Sequence, residues 1–181
     1  MLIAQNKRKE NIAEYLLYMF QLEDLLRAYN FNKEMINNRL IENFRVKKKE
    51  KEAIKNWYYQ LADSMVEEGV EKTGHIQEVK TIIDRLQALH EFLMENQEEI
   101  QYQELYNWAE PNLIDFAAKA RLSVSGNMEI ALNALYSQLL LRLQNKELTE
   151  ETKHAFSTIS KFIAVLSKKF HDMESGNMDF Q

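Results

Sequence analysis

The stretch Ile12-Ala-Glu-Tyr-Leu-Leu-Tyr-Met-Phe-Gln-Leu-Glu-Asp-Leu-Leu-Arg27 decides the fold class of this chain. Its apolar residues recur every three or four positions, which is the spacing of a helix that turns one stripe towards a core. Further apolar residues cover a second face, and a helix that is apolar on most sides normally lies at the centre of a bundle. The pattern predicts a largely buried first helix over residues 6–29.

Few residues elsewhere in the chain favour turns. The 181 residues include four glycines and one proline, where average usage would give about 22 of the two types together. β-Sandwiches, propellers and glycine-rich nucleotide-binding folds need such residues at many turns, so the composition argues against all three. We expect an all-α, single-domain bundle of about seven helices over residues 1–181.

Turn residues and apolar periodicity outline the remaining helices. Proline fits the first turn of a helix better than its interior, so a new helix is expected to begin near Pro111. The last helix is expected after Thr149, which is a suitable N-cap residue. Residues 174–181 are expected to form a flexible tail. The other predicted helices follow Asn32, occupy residues 48–68, follow a corner at Gly69 and Gly74, and occupy residues 128–143.

Several function classes are excluded by composition. The chain has no cysteine, which removes disulfides, thiolate zinc sites, iron–sulfur clusters and cysteine nucleophiles. The opening Met-Leu-Ile-Ala is too short for the apolar core of a signal peptide. The longest apolar run, residues 15–20, is far shorter than the roughly 20 residues that span a membrane. We expect a cytoplasmic protein without membrane contact.

The charge of the chain argues against nucleic acid as a partner. Net charge is −5 at pH 7, and residues 91–181 carry 14 acidic and 8 basic side chains. Residues 45–51 hold five basic side chains, but Glu50 and Glu52 dilute their field. We interpret this run as a solvated helix entrance, and we expect no nucleic-acid partner.

Metal and nuclease motifs are incomplete. Glu151 and His154 form a single Glu-x-x-His pair, whereas a ferritin-like di-iron site needs two, so we expect no metal and no cofactor. Arg85 and His90 match the Arg-x4-His spacing of HEPN-type ribonucleases, in which histidine moves protons and arginine holds phosphate. Two residue types at one spacing are common in charged helices, so a ribonuclease is a weaker hypothesis than the two described below, a small-molecule pocket and a protein–protein interface.

His90 also continues an apolar stripe between Leu86 and Leu93. A histidine at such a position is expected to be buried and hydrogen-bonded. We expect its partner on the first helix, at Glu23, Asp24, Tyr15 or Tyr18.

Two sets of residues remain as candidate sites. Glu23, Asp24 and Arg27 with His90 form a candidate polar pocket, as in a small-molecule binder or an enzyme with a pocket between helices. The second set is aromatic, since tyrosine and tryptophan are favoured at interfaces, and consists of Tyr59, Tyr102 and Trp108. No complete catalytic constellation is recognisable, so the leading hypothesis is a non-enzymatic protein that acts through protein–protein contact, either as a homo-oligomer or as an adaptor for another protein partner.

Four stretches together resemble a known family. They are Ile12-Ala-Glu-Tyr-Leu-Leu-Tyr-Met19, Glu68-Gly-Val-Glu-Lys-Thr-Gly-His75, Leu135-Tyr-Ser-Gln-Leu-Leu-Leu-Arg-Leu-Gln144 and Ile159-Ser-Lys-Phe-Ile163. The chain is similar over its whole length to an uncharacterised all-helical family from Bacteroides-group bacteria, a domain of unknown function. The resemblance implies a bacterial cytoplasmic protein and supplies no catalytic residues.

Overall fold

The computed structural model describes residues 2–122 and 126–178. These residues form eight α-helices and a short 3-10 turn, with no strand, so the all-α class is confirmed. In chain order the elements are α1 (Leu2–Glu10), α2 (Ile12–Ala28), α3 (Lys33–Arg39), the 3-10 turn (Ile41–Asn43), α4 (Lys48–Glu67), α5 (Gln77–Glu95), α6 (Ile100–Ala120), α7 (Asn127–Leu143) and α8 (Glu150–Glu174).

The predicted first helix is in fact two helices, because the chain breaks at Asn11. The backbone of Asn11 is extended, with φ −157° and ψ 112°. Its side-chain Oδ1 accepts hydrogen bonds from the amides of Ala13 at 2.9 Å and Glu14 at 3.1 Å. An asparagine cap of this kind satisfies amides that lack helix partners. This break raises the number of helices from the expected seven to eight in the described residues.

α2 is the central helix of the bundle. It packs against α1, α4, α7 and α8, and it buries residues on several faces, among them Leu16, Phe20 and Leu26. The prediction of a buried helix near the N-terminus is therefore confirmed for α2. Its neighbours surround it because an all-round apolar helix gains most free energy when every face is removed from water.

Pro111 lies inside α6, so the prediction that it begins a helix is wrong. Proline has no amide hydrogen to donate to the carbonyl of Asn107, and it costs a helix interior roughly 3 kcal/mol. α6 packs along α8 and buries large side chains, including Tyr102 and Leu113, on either side of the proline. Each such side chain contributes about 1.5–3 kcal/mol, so burial outweighs the loss and the helix continues.

The other predicted boundaries agree closely with the structure. Gly69 and Gly74 have φ values of 69° and 87°, a conformation that glycine adopts readily, and they form the corner between α4 and α5. Thr149 caps α8, since its side-chain oxygen accepts a hydrogen bond from the amide of Thr152 at 3.2 Å.

One hydrophobic cluster joins buried residues from α1 to α8, and we retain the prediction of a single domain. The expected flexible tail over residues 174–181 lies partly outside the described residues. Within them, α8 ends at Glu174 and the side chain of Met178 packs, half-buried, against the core. No helix in the described ranges is both long enough and apolar enough to cross a membrane.

Candidate functional site

Glu23 is a fully buried acid in the middle of α2, with 0% of its surface exposed. Its Oε2 lies 2.5 Å from Nδ1 of His75, and its Oε1 accepts a hydrogen bond from the amide of Ile76 at 3.0 Å. Both partners belong to the segment that joins α4 to α5. A buried carboxylate without partners would be strongly destabilising, so these two contacts explain how α2 accommodates an acid in the core.

Arg27 and Asp24 extend this contact towards the surface. The Arg27 guanidinium donates to the carbonyls of Val70, at 3.1 and 3.3 Å, and of Gly74. It also lies 2.9 Å from Oδ1 of Asp24, whose other oxygen accepts a hydrogen bond from the hydroxyl of Tyr136 on α7 at 2.8 Å. We call the set Glu23, Asp24, Arg27, His75 and Tyr136 the corner clamp.

The ring of His75 is also held by aromatic packing. It stacks on Phe20, with ring centroids 3.9 Å apart and planes inclined by 16°, and Phe20 in turn meets Tyr136 edge-on at 5.8 Å. Burial, together with the Asp24 carboxylate, raises the pKa of the Tyr136 hydroxyl. Tyr136 therefore keeps its proton at neutral pH and remains a donor to Asp24.

Three of the four predicted polar-pocket residues thus lie together, but their polar atoms bind the chain itself. The clamp joins α2 and α7 to the corner between α4 and α5. The fourth predicted residue, His90, is not part of it, and His75 takes the place expected for His90. The available sequence signal was the position of His75, the only histidine in the glycine-bracketed corner.

His90 lies in the core, 4% exposed, so the prediction that it is buried is confirmed. Its Nδ1 lies 2.8 Å from the hydroxyl oxygen of Tyr102. Its ring packs against Tyr106 and Phe162, with centroid separations of 4.5 and 5.7 Å. The expected hydrogen bond to the first helix is wrong, because α5 packs on α6, α7 and α8 here and the partner comes from α6.

Burial sets the protonation states of this pair. Desolvation lowers the pKa of His90, although Glu91 and Glu110 oppose the effect. Desolvation also raises the pKa of the Tyr102 hydroxyl. The imidazole is therefore neutral and the phenol protonated near pH 7, which is the state in which a buried hydrogen bond carries no net charge.

The two residues that suggested a ribonuclease have separate partners. Arg85 pairs with Glu174 on α8 at 2.8 Å, and its guanidinium lies over the ring of Phe170 at 4.9 Å. His90 is enclosed by the core and bound to Tyr102. The structure does not bring the two together at one solvent-accessible position, as transfer of protons to and from RNA would need.

The three candidate interface residues differ in exposure. Tyr102 is 1% exposed, so its assignment to an interface is wrong: its hydroxyl finds a partner inside the core. Tyr59 is half-buried; its hydroxyl donates to the carbonyl of Lys33 at 3.0 Å, and its ring lies near the ammonium groups of Lys33 and Lys55. Trp108 is 68% exposed and offers most of its indole to solvent.

Trp108 forms one rim of a groove between α6 and α8. The groove has a volume of about 520 Å³ and is lined by Leu105, Asn107, Trp108, Pro111, His154, Thr158 and Lys161. The side chain of Asn112 donates to Thr158 Oγ1 at 2.9 Å and to the carbonyl of Trp108 at 3.3 Å, which fixes the two helices beside it. Ile114, also on α6, is 66% exposed. We call Trp108, Ile114 and this groove the α6 face.

Metal-binding side chains are dispersed in the parts of the chain that the structure describes. No group of three or more His, Asp or Glu residues there is arranged to hold a metal ion. Glu151 and His154 lie in the first turns of α8, and His154 lines the groove of the α6 face. The absence of a metal and of a cofactor stays a prediction.

Comparison with known proteins adds a family but no activity. A family model described as a domain of unknown function, DUF4924, matches residues 1–177. The predicted resemblance to an uncharacterised family is thereby confirmed across nearly the whole chain, while the Bacteroides-group origin stays a prediction. No curated protein and no solved structure matches the chain.

Replacing Glu23 by glutamine tests the corner clamp. Glutamine keeps the size of the side chain but removes the charge that faces His75, so we expect the free energy of unfolding to fall by about 2 kcal/mol. The matched control is Glu14→Gln, which affects only an exposed pair with Lys7 and is expected to change stability by less than about 0.5 kcal/mol. Urea unfolding followed by circular dichroism measures both. Equal losses in the two variants would contradict the assignment.

The pair of His90 and Tyr102 is tested by a double-mutant cycle. His90→Leu leaves a buried hydroxyl without its partner, and Tyr102→Phe leaves a buried ring nitrogen without its partner, each costing about 1–3 kcal/mol. The double variant removes both polar groups, so its loss is expected to be smaller than the sum of the single losses. Strict additivity in denaturant unfolding would show that the two groups do not interact.

The lowered pKa of His90 predicts that stability depends on pH. Its native pKa lies below the ordinary value of 6.5, so the unfolded chain binds the proton first on acidification. The contribution of neutral His90 to the free energy of unfolding is therefore complete well above pH 6.5, and it is lost as the pH falls below that value. Between about pH 7.5 and pH 5.5 the native protein should therefore lose more stability than the double variant His90→Leu/Tyr102→Phe. Parallel stability curves for the two proteins would refute this.

Proposed function

The chain belongs to the DUF4924 family, whose description assigns no activity. We propose that the protein is a non-enzymatic binding module that associates with a second copy of itself through the α6 face. The observation that carries this proposal is the exposure of Trp108, 68% of whose surface is open to solvent. Tryptophan is enriched among the residues that dominate the energy of protein–protein interfaces.

The surroundings of Trp108 support an interface rather than a chance exposure. Ile114 on the same helix is 66% exposed, and Pro111 lies between the two on the outer side of α6. Isolated exposed apolar residues are normal, but Trp108 also lines a groove beside which the hydrogen bond between Asn112 and Thr158 joins α6 to α8. Groove walls that are already held together lose less entropy on association.

The arrangement suits a second copy of the chain in particular. A two-fold symmetric contact requires that one surface contain both members of each complementary pair. The α6 face holds a projecting indole and a recess of about 520 Å³, so two copies related by a two-fold axis can each insert Trp108 into the groove of the other. Lys161 lies on the groove wall, and Glu104 is exposed on α6 one turn before Trp108. Under this proposal, the two opposite charges meet at the rim of the contact.

Trp108→Asp tests the proposal. We expect the native protein to have twice the chain mass in sedimentation velocity at about 10 and about 100 μM, and the variant to have the mass of one chain at both concentrations. The matched control is Val66→Asp, which replaces another exposed apolar residue on α4 and should leave the dimer intact.

Two results would overturn self-association through the α6 face. One is a native protein that sediments as a single chain at both concentrations. The other is a Trp108→Asp variant that still has the mass of the dimer. Circular dichroism of each variant checks that the helices are retained.

The cytoplasmic location stays part of the proposal, and fractionation of source cells tests it.

A further inference from the structure

A second groove lies between the C-terminal half of α7 and the N-terminal half of α8. Its volume is about 840 Å³, within the range of pockets that hold small organic ligands. It is lined by Gln138, Arg142, Lys146, Glu147, Leu148, Lys153, Phe156, Ser157, Ser160 and Lys161. We call it the basic groove.

The charge of the basic groove is opposite to that of the chain around it. Residues 91–181 carry 14 acidic and only 8 basic side chains, yet Arg142, Lys146, Lys153 and Lys161 all line this one recess. Glu147 is the single acid on its wall. Four of the eight basic residues in positions 91–181 therefore line the basic groove.

Most of these cations lack an acidic partner within the part of the chain that the structure describes. Lys153 lies 2.6 Å from Glu150. Within the described residues, no acid lies at ion-pair distance from Arg142, Lys146 or Lys161. Three unpaired cations around a recess attract a multivalent anion, since their mutual repulsion is relieved when it binds.

The remaining walls of the basic groove define the kind of anion. Ser157 and Ser160 offer hydroxyl groups one turn apart on α8, and Gln138 offers an amide; such groups donate hydrogen bonds to phosphate oxygens. Leu148 and Phe156 contribute apolar surface to the same recess. A ligand that satisfies both kinds of wall carries a phosphate and an apolar or aromatic group.

We propose that the basic groove is a binding site for small organic phosphates, in which Arg142, Lys146 and Lys161 hold the phosphate while the organic part contacts Leu148 and Phe156. This inference goes beyond self-association, because it concerns a different recess and a small ligand. Lys161 lines both grooves, so the substitutions that test the site avoid it.

Phenyl phosphate is the probe that combines the two chemistries. Binding is followed by chemical-shift changes in two-dimensional NMR spectra of the full chain, at about 0.1 M salt so that weak long-range attraction is screened. Phenyl phosphate is expected to bind with a Kd below about 1 mM, tighter than inorganic phosphate, and phenol is expected to cause no saturable change. The shifts should map to the C-terminal half of α7 and the N-terminal half of α8.

A charge-matched pair of variants separates a site from general attraction. Arg142→Ala/Lys146→Ala removes two groove cations and should weaken phenyl phosphate binding at least about tenfold. Lys119→Ala/Lys168→Ala removes the same charge from surface outside the groove and should leave the Kd unchanged. Sedimentation of the groove variant should still give the dimer, so a failure here is distinguishable from failure of the self-association proposal.

Three outcomes would overturn the inference. Phenyl phosphate at millimolar concentration could leave the spectrum unchanged. The groove variant could bind as tightly as the native chain. Both double variants could lose affinity equally, which would mean that only net charge matters.

Discussion

A carboxyl group without access to solvent must be given hydrogen bonds by the protein, and Glu23 imposes this requirement on the most central helix. Its partners are His75 and the amide of Ile76, so α5 begins directly after the two residues that Glu23 binds. Arg27, one turn later on α2, holds the carbonyls of the same corner. The path of the chain from α4 to α5 therefore depends on α2, and α2 in turn depends on that corner for the stability of its buried acid.

Packed aromatic rings hold α5, α6 and α8 together. α6 and α8 lie against each other along much of their length, and the rings of His90, Tyr102, Tyr106 and Phe162 meet between them and α5. This aromatic packing is extensive enough for α6 to continue through Pro111. Pro111 and Trp108 consequently lie exposed on one continuous helix, where a helix start at Pro111 would have redirected the chain.

Most of the polar side chains that suggested catalysis bind other groups of the protein, whereas the two surface grooves are open to solvent. The corner clamp and the His90–Tyr102 pair are bound within the protein, and Arg85 is held by Glu174. Trp108 and the cations Arg142, Lys146 and Lys161 are different, because they are exposed and their side chains make no hydrogen bond or ion pair with the residues that the structure describes. This contrast supports the two proposals of binding at the outer surfaces of α6, α7 and α8.

The sequence by itself determined the helical class, the buried α2, the glycine corner, the Thr149 cap and the burial of His90, because periodicity and turn chemistry act over a few neighbouring residues. The sequence did not determine which partners the buried polar groups bind. The sequence places His75 at the glycine-bracketed corner, but it does not show that this corner packs on α2, so that His75 and not His90 meets Glu23. It also does not show that Tyr102 turns inward while Trp108 stays in solvent. Only tertiary structure decided these, because burial of a long side chain depends on which helix packs over it. Pro111 shows the same limit: its local preference for a first turn was outweighed by the packing of α6 on α8.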